Sequence, residues 1–370
     1  MEYSSLHDRI EDLSDIEAVV LLSLVARQHC IIDTEREVLD DLENELILIA
    51  ENIFGLSHAT LDCSPNMTVE EFSNAVLAPD AERQGYDRLS PFAVSGEGGR
   101  SVDRLSFGGG RSSSRVRASV LDDRKVVNVV IAKNFDQAPD HIQLLTLDLI
   151  RTKRIYTRTS FHSVPMTFLF IPLIESKPQG LSSSLNLHLN DHIFMSYYHD
   201  PQNGLMNLEE SSGWLSDDQG SISSVIRKPS LVLSKEPNEP YLIREEHINA
   251  LRELSDNVTF SAEISSYLQD IIIALRMNRG VAGGLTPIST RHFQLLARCL
   301  APLQRVDYVF PSLVALAARR VYRHRISIAD PANDRSLMYG STLKAVDLIL
   351  ADASPESIIE QVLEGVEAPL

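Results

Sequence analysis

Apolar residues follow two rhythms along this chain. In the first half, short near-continuous apolar runs alternate with stretches of helical period, and from residue 241 onward only the helical period is left. The run Val126, Val127, Val129, Val130 and Ile131 reads as a strand buried on both faces of a parallel sheet. "HCIIDT" at 29–34, "HATLDCS" at 58–64 and "MTFLFIPLI" at 166–174 read the same way, and "HIFMSYY" at 192–198 is a further apolar segment. Helices are predicted between them, at 16–27, along Leu39, Leu42, Leu46, Ile49 and Ile53, at 68–77, and near 138–152. The third opens with Thr68 and Glu71 at capping-box spacing. Beyond 241 the pattern predicts helices at 244–256, 260–277, 289–303, 311–324 and 354–366. Leu268, Ile271, Ile272 and Leu275 form one apolar stripe on the second of these. Strands alternating with helices and then a helical block predict an α/β class: a three-layer parallel-sheet domain followed by a helical domain.

The rhythm breaks once. Residues 79–120 are rich in Ser, Gly and Arg and almost free of periodicity, which predicts a disordered insertion. The expected division is therefore 1–78 and 121–240 for the α/β domain, with an acidic loop at 207–221. Residues 241–330 form the helical domain and 331–370 a helical tail. The glycine clusters "GEGGRS" (96–101) and "GGGRSSS" (108–114) lack a lysine, follow no strand and open no helix, so they read as linker. Ser106 and Ser119 follow Arg104 and Arg117, a spacing that basophilic kinases accept.

Composition narrows the partners. Across 370 residues the net charge is −17, and a field of that sign repels nucleic acid and anionic membranes. The three cysteines, Cys30, Cys63 and Cys299, are far apart and odd in number, which argues against a disulfide framework and suits a reducing compartment. The first residues lack the basic-then-apolar order of a signal peptide, and "AVVLLSLVA" (18–26) is too short to span a bilayer. The expected location is the cytoplasm or nucleus.

Four stretches carry a family resemblance. "NFDQAPDHIQLLTLDLI" after the strand at 126–132, "LNLHLNDHIF" (185–194), "GLTPIST" (284–290) and "YVFPSLVALAARRVYRHRI" (308–326) come in the order and spacing of AAA+ ATPases. The group they resemble is that of MoxR and the magnesium-chelatase I subunit. The resemblance implies an AAA+-like α/β domain with a helical lid, ring-type oligomers of AAA+ subunits and partners carrying von Willebrand factor A domains. It also marks the positions where ATP chemistry would sit.

Those positions hold other residues. No glycine-rich loop follows the first strand, and Glu35, Glu37, Asp40, Asp41, Glu43 and Glu45 stand where phosphate would lie. Lys133 replaces the Mg²⁺-holding Asp of the Walker B strand and Asn134 its catalytic Glu. Glu175 stands at the sensor-1 position, His192 at the arginine finger, and Ile288 at the sensor-2 arginine, with Arg291 the nearest stand-in. The expectation is a non-hydrolysing AAA+ homologue without cofactor, acting as an interaction or regulatory subunit. The alternative is a magnesium-chelatase-type ATPase using ATP and magnesium, with Lys133 and Arg291 as its nucleotide contacts. A third reading is a phospho-regulated adaptor that binds through 79–120. His188, His192 and His199-Asp200 lack the convergence that zinc needs and read as polar edge positions. The cluster "RRVYRHR" (319–325) reads as a solvated helix face, with anion binding as its alternative.

Overall fold

The computed structural model describes residues 9–78, 124–157, 160–177, 180–212 and 242–369. The insertion expected at 79–120, with Ser106 and Ser119, lies outside the described residues, as does 213–221 of the acidic loop.

Elements run in the order α1 (Asp15–Ala26), β1 (Cys30–Thr34), α2 (Leu39–Leu48), β2 (His58–Asp62), α3 (Val69–Ala75), β3 (Val129–Lys133) and α4 (Asp140–Thr152). The hairpin β4 (Arg154–Tyr156) and β5 (Phe161–Ser163) follows, then β6 (Leu169–Glu175), α5 (Leu187–His192), β7 (Met195–Tyr198) and α6 (Met206–Ser212). The rest is mainly helical: α7 (Glu245–Asn257), α8 (Ala262–Met277), β8 (Val281–Gly283), α9 (Pro287–Leu303), α10 (Pro311–Tyr322), β9 (Ser327–Ile328), α11 (Leu343–Leu350) and α12 (Pro355–Gly365).

Five strands pair in parallel in the order β2-β3-β6-β1-β7. Because side chains alternate across a strand, each central strand feeds two cores. Cys30 and Ile32, Val129 and Ile131, and Leu169, Ile171 and Leu173 face a core that also holds α1, α2, α7 to α10 and α12. Ile31, Val130 and Ala132, and Phe170 and Ile174 face the other, built with Phe72 of α3, Ile142 of α4 and Leu189 of α5. These are the three layers that the apolar runs predicted.

Local signals behave as their chemistry requires. Thr68 accepts the Glu71 N–H, and the Glu71 carboxylate accepts the Thr68 N–H, so the capping box forms at the start of α3. Gly284 adopts φ +98, and a Cβ there would sit 1.9 Å from the Arg325 carbonyl oxygen, so both backbone and space demand glycine. Helix α10 ends at Tyr322, two residues before the expected end, because the next three residues turn back toward the sheet.

The stripe on α8 is buried as its spacing implies: Leu268, Ile271, Ile272 and Leu275 are each at most 1% exposed. Ile272→Asp places an unpaired charge in that core, and its unfolding free energy in urea should fall by more than about 3 kcal/mol. An unchanged urea midpoint would show that this face does not carry the packing.

Candidate functional site

All five strands of the sheet end on one edge, and the side chains gathered there are charged. Asp33 closes β1 with 0% exposure. A carboxylate so placed needs a cation, and Arg323, just past α10, supplies one: its Nη1 and Nη2 donate to the two Asp33 oxygens at 2.6 and 2.7 Å. Arg323 Nε donates to Glu356 of α12 at 2.8 Å, and the guanidinium lies 5.6 Å from the Tyr198 ring centroid. Burial opposes the Arg323 charge. The hydrogen bonds and charges of Asp33 and Glu356 outweigh it, and the net effect raises the pKa. One residue thus ties β1, α10 and α12 together.

Lys133 ends β3 on the same edge. Its Nζ donates to Asp40 at 2.5 Å and to Glu43 at 3.1 Å, both on α2. The Asp40 hydrogen bond is the largest cause raising the Lys133 pKa. Asn134 follows at φ 53, a left-handed conformation that asparagine tolerates, and donates to Asp62 at the end of β2. Lys177 donates to Asp136 at 2.5 Å. Glu175 ends β6 opposite Thr34.

This edge therefore places Lys133, Asn134 and Glu175 together; Lys133, Lys177 and Arg323 already hold carboxylates of the same chain, while Arg36 in the β1–α2 loop is exposed. The loop from β1 to α2 is Glu35 and a single 3-10 turn, Arg36–Val38, and Asp40 and Asp41 occupy the first turn of α2. A helix N-terminus that opens with its own acids has its dipole complemented from within. A magnesium-bound triphosphate uses backbone N–H groups and free cations at such a point, and here the Lys133 amine is held by Asp40 and Glu43.

Two sequence expectations are corrected. Glu45 does not face this edge: it is buried, and its carboxylate accepts the N–H groups of Asn207 and Leu208 at the start of α6. Arg323, His324 and Arg325 are not a solvated face, since His324 and Arg325 are 0% and 2% exposed. Of the other family positions, His192 ends α5, next to the start of β7 and so on the opposite edge of the sheet from Lys133. Ile288 lies in the first turn of α9, beside Thr286, which donates to Asp191 at 2.5 Å. Arg291 lines a separate groove of about 260 Å³ with Phe260, Leu268 and Arg298, away from Lys133. His199 hydrogen-bonds Asp33 through its backbone, so it stands on the Lys133 edge while His188 and His192 stand on the other. No group of three or more His, Cys, Asp or Glu able to hold a metal occurs among the described residues.

On the opposite edge, Arg325 donates to the carbonyls of Val321, Asp191, Ile193 and Phe194 and to His292 Nδ1. Burial lowers its pKa to about 10. His292 is pushed down to about 3, first by burial and then by Arg325, and His324 and His29 also lie well below the ordinary histidine value.

No protein-family model matches the chain, and no curated protein matches it. Among solved structures the chain is similar to a "putative ATPase" from Cytophaga hutchinsonii, at 12% identity and a TM-score of 0.62, covering 99% of this chain and 94% of that one. It is also similar to a full-length MCM homolog from Methanopyrus kandleri, at 9% identity and a TM-score of 0.45, covering 88% of this chain and 58% of that one. The five-stranded parallel sheet with its surrounding helices, together with the first of these, gives the chain an α/β AAA+ fold. No helix among the described residues is long and apolar enough to cross a membrane.

Two outcomes follow from this geometry. Arg323→Ala leaves Asp33 buried without its cation and should cost about 3–5 kcal/mol in urea unfolding. Adding Asp33→Asn should return part of that loss, and a loss under about 1 kcal/mol for the single variant would deny the pair its role. The second outcome concerns pH. His29, His292 and His324 are neutral in the fold, whereas an unfolded imidazole binds a proton near pH 6.5. Below that value the unfolded chain binds more protons than the native one. Stability should then fall with pH by about 1.4 kcal/mol per unit for each histidine, until the folded pKa is reached. Urea unfolding at pH 7.0 and 5.5 measures this, and equal stabilities would contradict buried neutral histidines.

Proposed function

We propose that this protein is a non-hydrolysing AAA+ homologue of the MoxR and magnesium-chelatase-like group, working as an interaction or regulatory subunit. One observation carries the reading: the carboxylates of Asp40 and Glu43 hold Lys133, at the strand end where that group would place its magnesium ligand. Asp33 and Arg323 close the neighbouring strand end with a second internal pair. Negative charge of the chain's own takes the positions that a triphosphate would need, and phosphoryl transfer depends on cations and Mg²⁺ positioned around phosphate. What the scaffold then offers is surface. On this reading the chain needs no cofactor and works in the cytoplasm. Its partners are proteins, with a von Willebrand factor A domain protein or other AAA+ subunits as the first candidates and nucleic acid excluded by charge.

The test is thermal melting with 1 mM MgATP, 1 mM MgADP and no nucleotide, beside phosphate release over hours. A ligand at a hundredfold excess over Kd stabilises the native state by about 2.7 kcal/mol. At about 2 °C per kcal/mol that is roughly 5 °C in Tm. The expected result is no shift and no release. A shift of several degrees would overturn the non-binding reading, and turnover abolished by Lys133→Ala would make the protein an ATPase.

A further inference from the structure

The side chain of His29, the residue before β1, is fully buried, and its hydrogen bonds fix which nitrogen carries the proton. Phe170 N–H donates to His29 Nδ1 at 3.0 Å, so Nδ1 bears no hydrogen. A neutral imidazole then keeps its single proton on Nε2. The imidazolium form would turn an N–H toward the Phe170 N–H, and burial disfavours it as well.

His29 Nε2 lies 3.2 Å from Lys153 Nζ. An ammonium has three donors and no lone pair, so it cannot accept from Nε2–H. The contact is a hydrogen bond only when the lysine is a neutral amine. Its surroundings agree. Lys153 caps α4 at φ 57 and ψ 34, with its backbone carbonyl bound by the Val164 N–H at 3.1 Å, so the side chain leaves from a fixed point. Against this, Nζ lies 5.9 Å over the Phe168 ring, whose face attracts an ammonium, and that ring packs edge-on against His29 at 5.6 Å. No carboxylate pairs with Lys153 among the described residues, and its chain neighbours Arg151 and Arg154 are cationic. Burial of the amine lowers its pKa in the same sense. The residue as a whole is exposed, while its amine is partly buried against His29.

We propose that Lys153 is a neutral nucleophilic lysine and an acylation site, with acyl thioesters as its acyl donors. The hydrogen bond from His29 Nε2–H to the amine opens, and the lone pair it frees attacks the thioester carbonyl carbon. The N–C bond forms, the C–S bond breaks, and the electron pair leaves on sulfur as a thiolate, which takes the proton shed by nitrogen. No oxidant or further reactant enters. The product is an uncharged amide whose carbonyl oxygen offers His29 Nε2–H a new acceptor.

The experiment is trace acetylation of the full chain with acetyl-coenzyme A between pH 6 and 11, read lysine by lysine by mass spectrometry, with exposed Lys344 as the internal reference. At pH 7.0 Lys153 should acetylate several-fold faster than Lys344, because a larger share of its amine is unprotonated. Its rate should also level off at lower pH. His29→Phe removes the Nε2–H and should bring the Lys153 rate toward that of Lys344, and Lys153→Arg should abolish the modified peptide. Equal rates and equal inflections in the native chain would overturn the proposal, whether or not the His29 variant folds. An unchanged Lys153 rate in a folded His29→Phe protein would overturn it too.

Discussion

A carboxylate with no solvent must be met by a cation or take up a proton, and Asp33 imposes that choice at the end of the sheet's β1 strand. Arg323 meets it with two hydrogen bonds from a residue 290 positions away in sequence. The rest of the arrangement is bound to this pair. For Arg323 to reach Asp33, α10 has to lie along β7, and there Arg320 stands 4.6 Å from the Tyr197 ring centroid and its carbonyl accepts from the Ser196 hydroxyl. Because Arg323 also holds Glu356 while Arg319 holds Glu360, the same helix fixes α12 by two acids one turn apart. The surface members of this network contribute little each. The Asp33 pair is different, since removing either partner strands the other in a medium that cannot hydrate it.

The two edges of the sheet solve opposite problems. At the Lys133 edge charge is kept, and carboxylates and cations are matched one against another. At the His29 edge His29, His292 and His324 are held neutral, and the buried charge of Arg325 is met by backbone carbonyls and His292 Nδ1. Thr286 and Asn190 add the remaining links between α5 and the segments around α9 and α10, through Asp191 and the His324 carbonyl. A fall in pH through the ordinary histidine range costs stability at the second edge, because the unfolded imidazoles take up protons that the folded ones do not.

What the sequence shows is what repeats locally. The stripe on α8, the capping box of Thr68 and Glu71, and the apolar runs of β1, β3 and β6 are all written within a few residues, and each forms where its spacing places it. The hairpin of β4 and β5 escapes such reading because its strands are three residues each, too short to show a period, and its turn rests on Thr157 and Ser160. At the candidate site the residue types at 133, 134 and 175 are legible, and so is the lack of a glycine loop. Their partners are not. Glu45 and Asp40 are alike in sequence, yet one caps α6 from the interior and the other holds Lys133. Arg323 looks like any arginine in a basic run, and only the closing of the chain on Asp33 tells it from Arg319.

The depth of the sheet separates the positions that the family resemblance groups together. Lys133, Asn134 and Glu175 stand at the ends of β3 and β6, whereas His192 and Ile288 stand by the start of β7. A five-residue strand spans about 16 Å at about 3.3 Å per residue, well beyond the reach of a side chain. Within one chain these two sets cannot act on the same small molecule. Chemistry that used both would have to bring the His192 face of one copy to the Lys133 edge of another. There it would meet Lys133 already bonded to Asp40 and Glu43, and Asp33 already bonded to Arg323. An anion seeking Lys133 or Arg323 would have to displace those internal bonds, while α10 and α12 stay tied to each other by Arg319 and Glu360 and to the sheet by the apolar core.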